Sequence, residues 1–212
     1  FAETAIDELS LLLDVPGPTR PIVLLVLAEG HIYDAAARDL ERNELEDVIA
    51  LASPADSTIV IPLSRFIALT PFEAENQLRH AISHILTWQV SGGMMPRGFD
   101  EGLARYVERP MQPSLARLAS IVQTANQDGA LISWSNMNRA NPLDDDELIE
   151  AQAYAVVGFL LQNHGLDRFQ AFVAALPSSD NWREAINEAY APATSDSLEG
   201  QWRDEIPLWA QG

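Results

Sequence analysis

Every segment of this chain that reads as a β-strand lies before residue 64, and every long helical pattern but one lies after it. Pro21-Ile22-Val23-Leu24-Leu25-Val26-Leu27-Ala28 is continuous, apolar and β-branched, the pattern of a strand covered on both faces. Asp47 to Ala52 and Ser57 to Leu63 read as two further strands, with Pro54-Ala55-Asp56 making a hairpin turn between them. A short helix over Ala5 to Leu13, stopped by Pro16-Gly17-Pro18, precedes the first strand, and a helix over Tyr33 to Arg42 follows it. Thr70-Pro71-Phe72-Glu73 then supplies a capping box with proline at the first helical position. The helix it opens is expected to run to about Val90, where Ser91-Gly92-Gly93 ends it. Further helices are expected from near Asp100, over Ser114 to Gln127, Asp145 to Asn163, Asp167 to Leu176 and Asn181 to Tyr190, and after Asp196. Strands first and helices after predict an α+β fold, a small N-terminal sheet beside a mainly helical half.

The chain of 212 residues is long enough for one substantial core, and we read it as a single domain over 1–212, with the sheet in about 1–90 and the helical part in about 91–212. Its formal charge of −18 repels nucleic acid and anionic membrane surfaces, so neither is an expected partner. The absence of cysteine excludes disulfides and thiolate metal sites. No apolar run reaches the roughly 18–20 residues that cross a bilayer, so no transmembrane segment is expected in this chain. The start at Phe1 reads as a trimmed terminus.

His80-Ala81-Ile82-Ser83-His84 lies on the best-defined helix. Residues four apart are separated by about 40° of rotation, so both imidazoles leave one face and can reach one metal at about 2.0–2.1 Å. Two histidines leave a tetrahedral site half filled. Glu101, at the start of the next helix, is placed to be a third ligand, with water as the fourth. The competing reading makes His80 and His84 hydrogen-bonded core histidines, and Glu101 a carboxylate favoured by a helix N-terminus.

The wider pattern is more specific. His80-Ala81-Ile82-Ser83-His84, then Gly92-Gly93 and Pro96, then Glu101-Gly102-Leu103-Ala104 with Tyr106, resembles the peptidase MA-like group of gluzincins, zinc peptidases with an HExxH helix and a downstream glutamate ligand. Ala153-Tyr154-Ala155, Phe159-Leu160-Leu161 and His164-Gly165 resemble a later helix of that family, and the segment carrying Trp202 its closing element. The resemblance covers roughly residues 3 to 206 and implies a zincin-like fold. It implies His80, His84 and Glu101 as zinc ligands and Tyr154 as a residue that hydrogen-bonds substrate or transition state. The plain alternative for Tyr154 is a core tyrosine with a tethered hydroxyl. By analogy with such families, the setting expected is extracytoplasmic or membrane-tethered.

Three positions depart from the family pattern. Ala81 stands where the general-base glutamate belongs. General acid–base catalysis contributes about 10²–10⁴-fold, so its loss raises a hydrolytic barrier by roughly 3–5.5 kcal/mol. Gly98 stands where a tryptophan is usual, which removes a packing group from the loop. Arg105 follows Glu101 by one helical turn, at a position that tends to be acidic. There it can pair with Glu101 and compete with zinc. No acceptor for the outward nitrogens of the histidines is identifiable from sequence. The expectation is a catalytically impaired peptidase-like domain that binds a peptide or protein segment. One alternative is an active zinc peptidase in which the catalytic glutamate has been replaced by Ala81, and another is a metal-free interaction module. Asp144-Asp145-Asp146-Glu147 lacks the spacing of a calcium loop, Ser83 has no nucleophile elbow around it, and His31 and His164 read as loop or helix-end residues. Nothing resembles a phosphate-binding loop or a dinucleotide fingerprint.

Overall fold

The computed structural model describes residues 1–28, 49–109, 113–139 and 147–207, with the side chains of 113–116 excepted. The helix expected over Tyr33 to Arg42, the first residues of the second expected strand, the Asp144–Asp146 run and His31 lie outside the described residues. The elements are α1 (Ala2–Leu12), β1 (Val23–Leu27), β2 (Leu51–Ser53), β3 (Thr58–Pro62), α2 (Leu63–Phe66), α3 (Pro71–Ser91), α4 (Arg97–Tyr106), α5 (Pro113–Gln127), α6 (Trp134–Met137), α7 (Glu147–His164), α8 (Leu166–Ala175), α9 (Trp182–Ala189) and α10 (Ser195–Glu205). This is the expected α+β class, a small sheet and a mainly helical remainder.

The sheet order is β1-β3-β2. β3 lies in the middle, parallel to β1 with Val23 opposite Thr58, and antiparallel to β2 with Leu51 opposite Val60. The β2–β3 hairpin turns where the sequence predicts. Ser53 Oγ donates to Asp56 Oδ2 at 2.8 Å, and the Ser57 N–H reaches Pro54 O at 3.1 Å. The second strand is shorter than expected. The Ile49 and Ala50 amides donate to the Gln77 side chain on α3 (2.9 and 3.3 Å) in place of a ladder. β3 is buried, as a central strand should be, with Ile59 fully enclosed. β1 is not covered as expected: Val23, Leu24, Leu25 and Val26 are all exposed. Among the described residues β1 pairs with β3 alone, and its continuous apolar pattern records β-propensity rather than enclosure.

α3 is the axle of the structure. Its N-terminus is fixed by the predicted capping box, in which Glu73 Oε2 accepts from the Thr70 N–H (2.7 Å) and Thr70 Oγ1 accepts from the Glu73 N–H (3.3 Å). Its C-terminus is closed by Gly92 in the left-handed conformation (φ 61°). α1, β2, β3, α4 and α8 all pack on it. Leu78 through Thr87 are consecutively buried, so this stretch is enclosed all round and carries Arg79, His80, Ser83, His84 and Thr87 into the interior.

α4 reaches α3 on one side and α7 on the other. Gly102 makes the second contact possible: a Cβ there would sit 2.2 Å from the Ala153 carbonyl oxygen. Phe99 anchors α4 in the helical half, edge-on to Trp134, Phe172 and Trp182 at centroid distances of 5.8, 5.4 and 5.4 Å. Trp202, on the last helix, is fully buried against Trp134. Among the described residues, no helix is long and apolar enough to cross a membrane.

Candidate metal centre

α3 and the middle of α4 bring His80, His84 and Glu101 together, with one ligand atom from each lying within 4.8 Å of the others. The two Nε2 atoms are 3.1 Å apart. His80 Nε2 is 3.3 Å from Glu101 Oε1, and His84 Nε2 is 3.6 Å from Glu101 Oε2. Ligands about 2.0–2.1 Å from a tetrahedral ion lie roughly 3.3–3.4 Å from one another; the separations here lie near that value, with the two histidines meeting different oxygens of the Glu101 carboxylate. The histidines are nearly sealed from solvent, and Glu101 is largely buried.

The far nitrogens decide the chemistry of the near ones. His80 Nδ1 is 2.9 Å from Glu108 Oε1, and His84 Nδ1 is 2.8 Å from Asp100 Oδ2. A carboxylate only accepts, so each Nδ1 carries the hydrogen and donates it. In the neutral imidazoles both Nε2 atoms then present lone pairs, to each other and to the Glu101 carboxylate. Acceptors brought this close repel unless a cation, either a proton or a metal ion, sits among them. This donor set, two neutral imidazoles and a carboxylate with orienting acceptors behind both imidazoles, suits a divalent metal of the zinc type.

Without metal, a proton fills the role. Burial pulls the His80 pKa down, but the Glu101 carboxylate and the hydrogen bonds to Glu101 and Glu108 outweigh it and raise it from 6.5 to about 9. Burial pushes Glu101 the other way, and the charges of His80, His84 and Arg105 hold it well below the usual carboxylate range.

The family profile that matches residues 54–207 is that of the peptidase MA superfamily, and it covers β3, the two helices that carry the histidines and Glu101, and the closing Trp202 helix. The chain belongs to the peptidase MA superfamily. No curated protein and no solved structure matches it.

The positions at which this superfamily member departs from the pattern can now be placed. Ala81 is fully buried on α3, one residue along from His80, and offers a methyl group where a carboxylate would stand. Gly98 leaves no hole: a Cβ there would lie 2.8 Å from both Met137 and the Asn138 side chain. Asn138 Oδ1 accepts the Phe99 N–H at 3.3 Å, so α6, which the sequence reading did not anticipate, holds the start of α4. Arg105 contacts Glu101 at 3.8 Å through Nε, but its terminal nitrogens go to Glu108 (3.3 Å) and Glu150 (2.8 Å). The expected pairing of Arg105 with Glu101 is thus present as a longer ion pair, while the carboxylate faces the histidines at 3.3 and 3.6 Å. Tyr154 lies half-buried on α7 with its ring 6.2 Å from that of Tyr106, and burial raises its pKa. His164 closes α7 against Phe159 and Tyr190, in keeping with a helix-end role.

Two residues at the centre escaped the sequence reading. Asp100 had a signal, being an acidic neighbour of the candidate ligand. Glu108 had none, because α4 ends at Tyr106 and no periodicity connects Glu108 to His80.

Proposed function

We propose that this domain binds zinc through His80, His84 and Glu101, and holds a peptide or protein segment in a peptidase-like cleft without cleaving it efficiently. One observation carries the reading. Three lone-pair-bearing groups converge at zinc-ligand spacing, while the residue following the first histidine is an alanine. Zinc held there would supply Lewis-acid polarisation of a carbonyl. The chain's own residues orient the two imidazoles and exclude water from them, but Ala81 cannot carry a proton to a leaving amine. Peptide hydrolysis is expected to be slower by about 10²–10⁴-fold than with a base in place.

The test measures zinc content after purification without chelator, then turnover of a peptide panel by the native sequence and by Ala81→Glu. Stoichiometric zinc with weak or no turnover is expected. Robust turnover by the native sequence, or no zinc, overturns the proposal. A zinc-dependent gain in Ala81→Glu would favour the active-peptidase alternative, in which Ala81 replaces a catalytic glutamate. The geometry also supports the metal-free interaction module, because a proton can meet the 3.3 Å contact between His80 Nε2 and Glu101 Oε1 in place of a metal. That reading predicts no zinc uptake at micromolar concentrations, together with peptide binding unaffected by chelator.

A further inference from the structure

We propose that Glu108 is a positioning residue for the centre. It orients the His80 imidazole so that Nε2, rather than Nδ1, faces Glu101 and His84, and Arg105 holds Glu108 in place. The inference rests on the metal-centre reading above and adds to it a residue that lies outside the helix carrying Glu101.

Glu108 sits in the turn after α4, and its side chain is only 5% exposed. A carboxylate this enclosed must be fully partnered. A single oxygen, Oε1, receives both His80 Nδ1 at 2.9 Å and Arg105 Nη1 at 3.3 Å. Arg105 is in turn fixed from α7 by Glu150 Oε2 at 2.8 Å. The chain Glu150–Arg105–Glu108–His80 therefore runs from α7 across the end of α4 to the imidazole on α3. The turn itself is fastened to α3. The Arg109 N–H donates to the buried Asn76 side chain at 2.9 Å, and Arg109 Nε donates to Glu75 Oε1 at 2.9 Å. Because the turn is held on both sides, Glu108 cannot follow His80 if the ring rotates. The imidazole must adopt the orientation that the carboxylate dictates. His84 is served separately, by Asp100. Each ring thus has its own orienting carboxylate, and removal of Glu108 should affect one ring only. Outer hydrogen-bond partners of this kind change metal affinity by about 10–100-fold.

The experiment combines two readouts on the full chain. In metal-free protein, proton–nitrogen NMR should show a slowly exchanging Nδ1–H resonance for His80. Glu108→Ala should abolish it and leave the corresponding His84 resonance in place. Competition with a chromophoric chelator should show zinc bound about 10–100-fold more weakly by Glu108→Ala. Should Glu108→Ala fail to fold, the isosteric Glu108→Gln decides. Its weaker carboxamide acceptor should move the His80 Nδ1–H resonance upfield, and an unmoved resonance overturns the proposal. Zinc affinity of Glu108→Ala within twofold of the native protein also overturns it, as does absence of the resonance from the native protein. If the native protein takes no zinc, the proposed function falls separately, and the Nδ1–H resonance alone decides whether Glu108 orients His80.

Discussion

The metal-free centre makes stability depend on pH in a direction set by His80. Its folded pKa of about 9 exceeds the unfolded value near 6.5, so the native state binds the proton more tightly. A group shifted upward contributes stability fully below its unfolded pKa and loses it as pH rises through the folded one. The window is therefore pH 6.5 to 9. At about 1.4 kcal/mol per unit, the loss across it is about 3 kcal/mol. Solvent screening does little to reduce this, because the ring is 8% exposed. Glu101 describes the same ion pair from the acid side. Its depressed pKa contributes stability above 4.5 that is lost as pH falls, and the two contributions must not be added. The chain is well suited to the measurement. It has no cysteine and no lysine, so few side chains other than the histidines have ordinary pKa values near the window. His164 has its pKa lowered, chiefly by burial, and titrates at the acid end or below it. Urea unfolding of protein kept in chelator, followed from pH 5.5 to 9.5, should show the decline. His80→Gln should be less stable at pH 6 and nearly flat between pH 6.5 and 9. Saturating zinc should abolish the alkaline decline in the native chain, because metal replaces the proton. A flat native profile in chelator, or an equal slope in His80→Gln, would refute the assignment of a shared proton to this centre.

Gly102→Ala places a methyl group 2.2 Å from the Ala153 carbonyl oxygen, where backbone on both sides must move. The expected loss is about 3 kcal/mol or more, read as a large fall in the thermal midpoint, and zinc affinity should weaken as Glu101 is displaced. Thr70→Ala removes one half of the capping box at the head of α3 and should lower stability by about 1 kcal/mol in denaturant unfolding, with zinc binding unchanged because His80 lies more than two turns away.

The order of elements was legible because each is announced locally. Thr70 and Glu73 cap α3, Gly92 ends it, and the Pro54–Asp56 turn joins two short strands, all within a few residues of the structure they specify. What sequence could not supply is which faces are covered. Val23 to Val26 carry the pattern of a doubly buried strand and yet lie exposed on the outer strand of the sheet that the described residues form, because enclosure depends on neighbours remote in sequence. The reverse holds on α3, where Arg79, His80, Ser83 and His84 would read as one polar face of a surface helix but are buried by surrounding elements. Gly98 shows the same limit. Read alone it is a missing side chain, whereas in the structure Met137 and Asn138, from a helix too short to announce itself, occupy the space.

The candidate centre divides along the same line. His80 and His84 are related by helix geometry, and Glu101 by a short loop, so their meeting is a consequence of local structure. The partners behind them are not. Arg105, one turn after Glu101, looks from sequence like a competitor for that carboxylate. In the structure two other carboxylates claim its terminal nitrogens, at 2.8 and 3.3 Å, and leave Glu101 at 3.8 Å. A cation that would weaken a metal site by direct pairing instead neutralises Glu108, the acceptor that holds His80. Arg105 thus lies closer to Glu108 and Glu150 than to Glu101, and Glu101 faces the two histidines. Replacing Arg105 by a neutral residue of similar length, such as methionine, would take the guanidinium from the buried Glu108, which keeps His80 Nδ1, and from the partly exposed Glu150. Breaking a buried pair costs up to about 3–5 kcal/mol, the retained partner reduces that figure here, and the loss should still exceed any gain in zinc affinity from removing a positive charge. A fall in both stability and zinc affinity in Arg105→Met is therefore expected from denaturation and competition titrations. A rise in zinc affinity would show that Arg105 acts on the centre through its charge and not through Glu108.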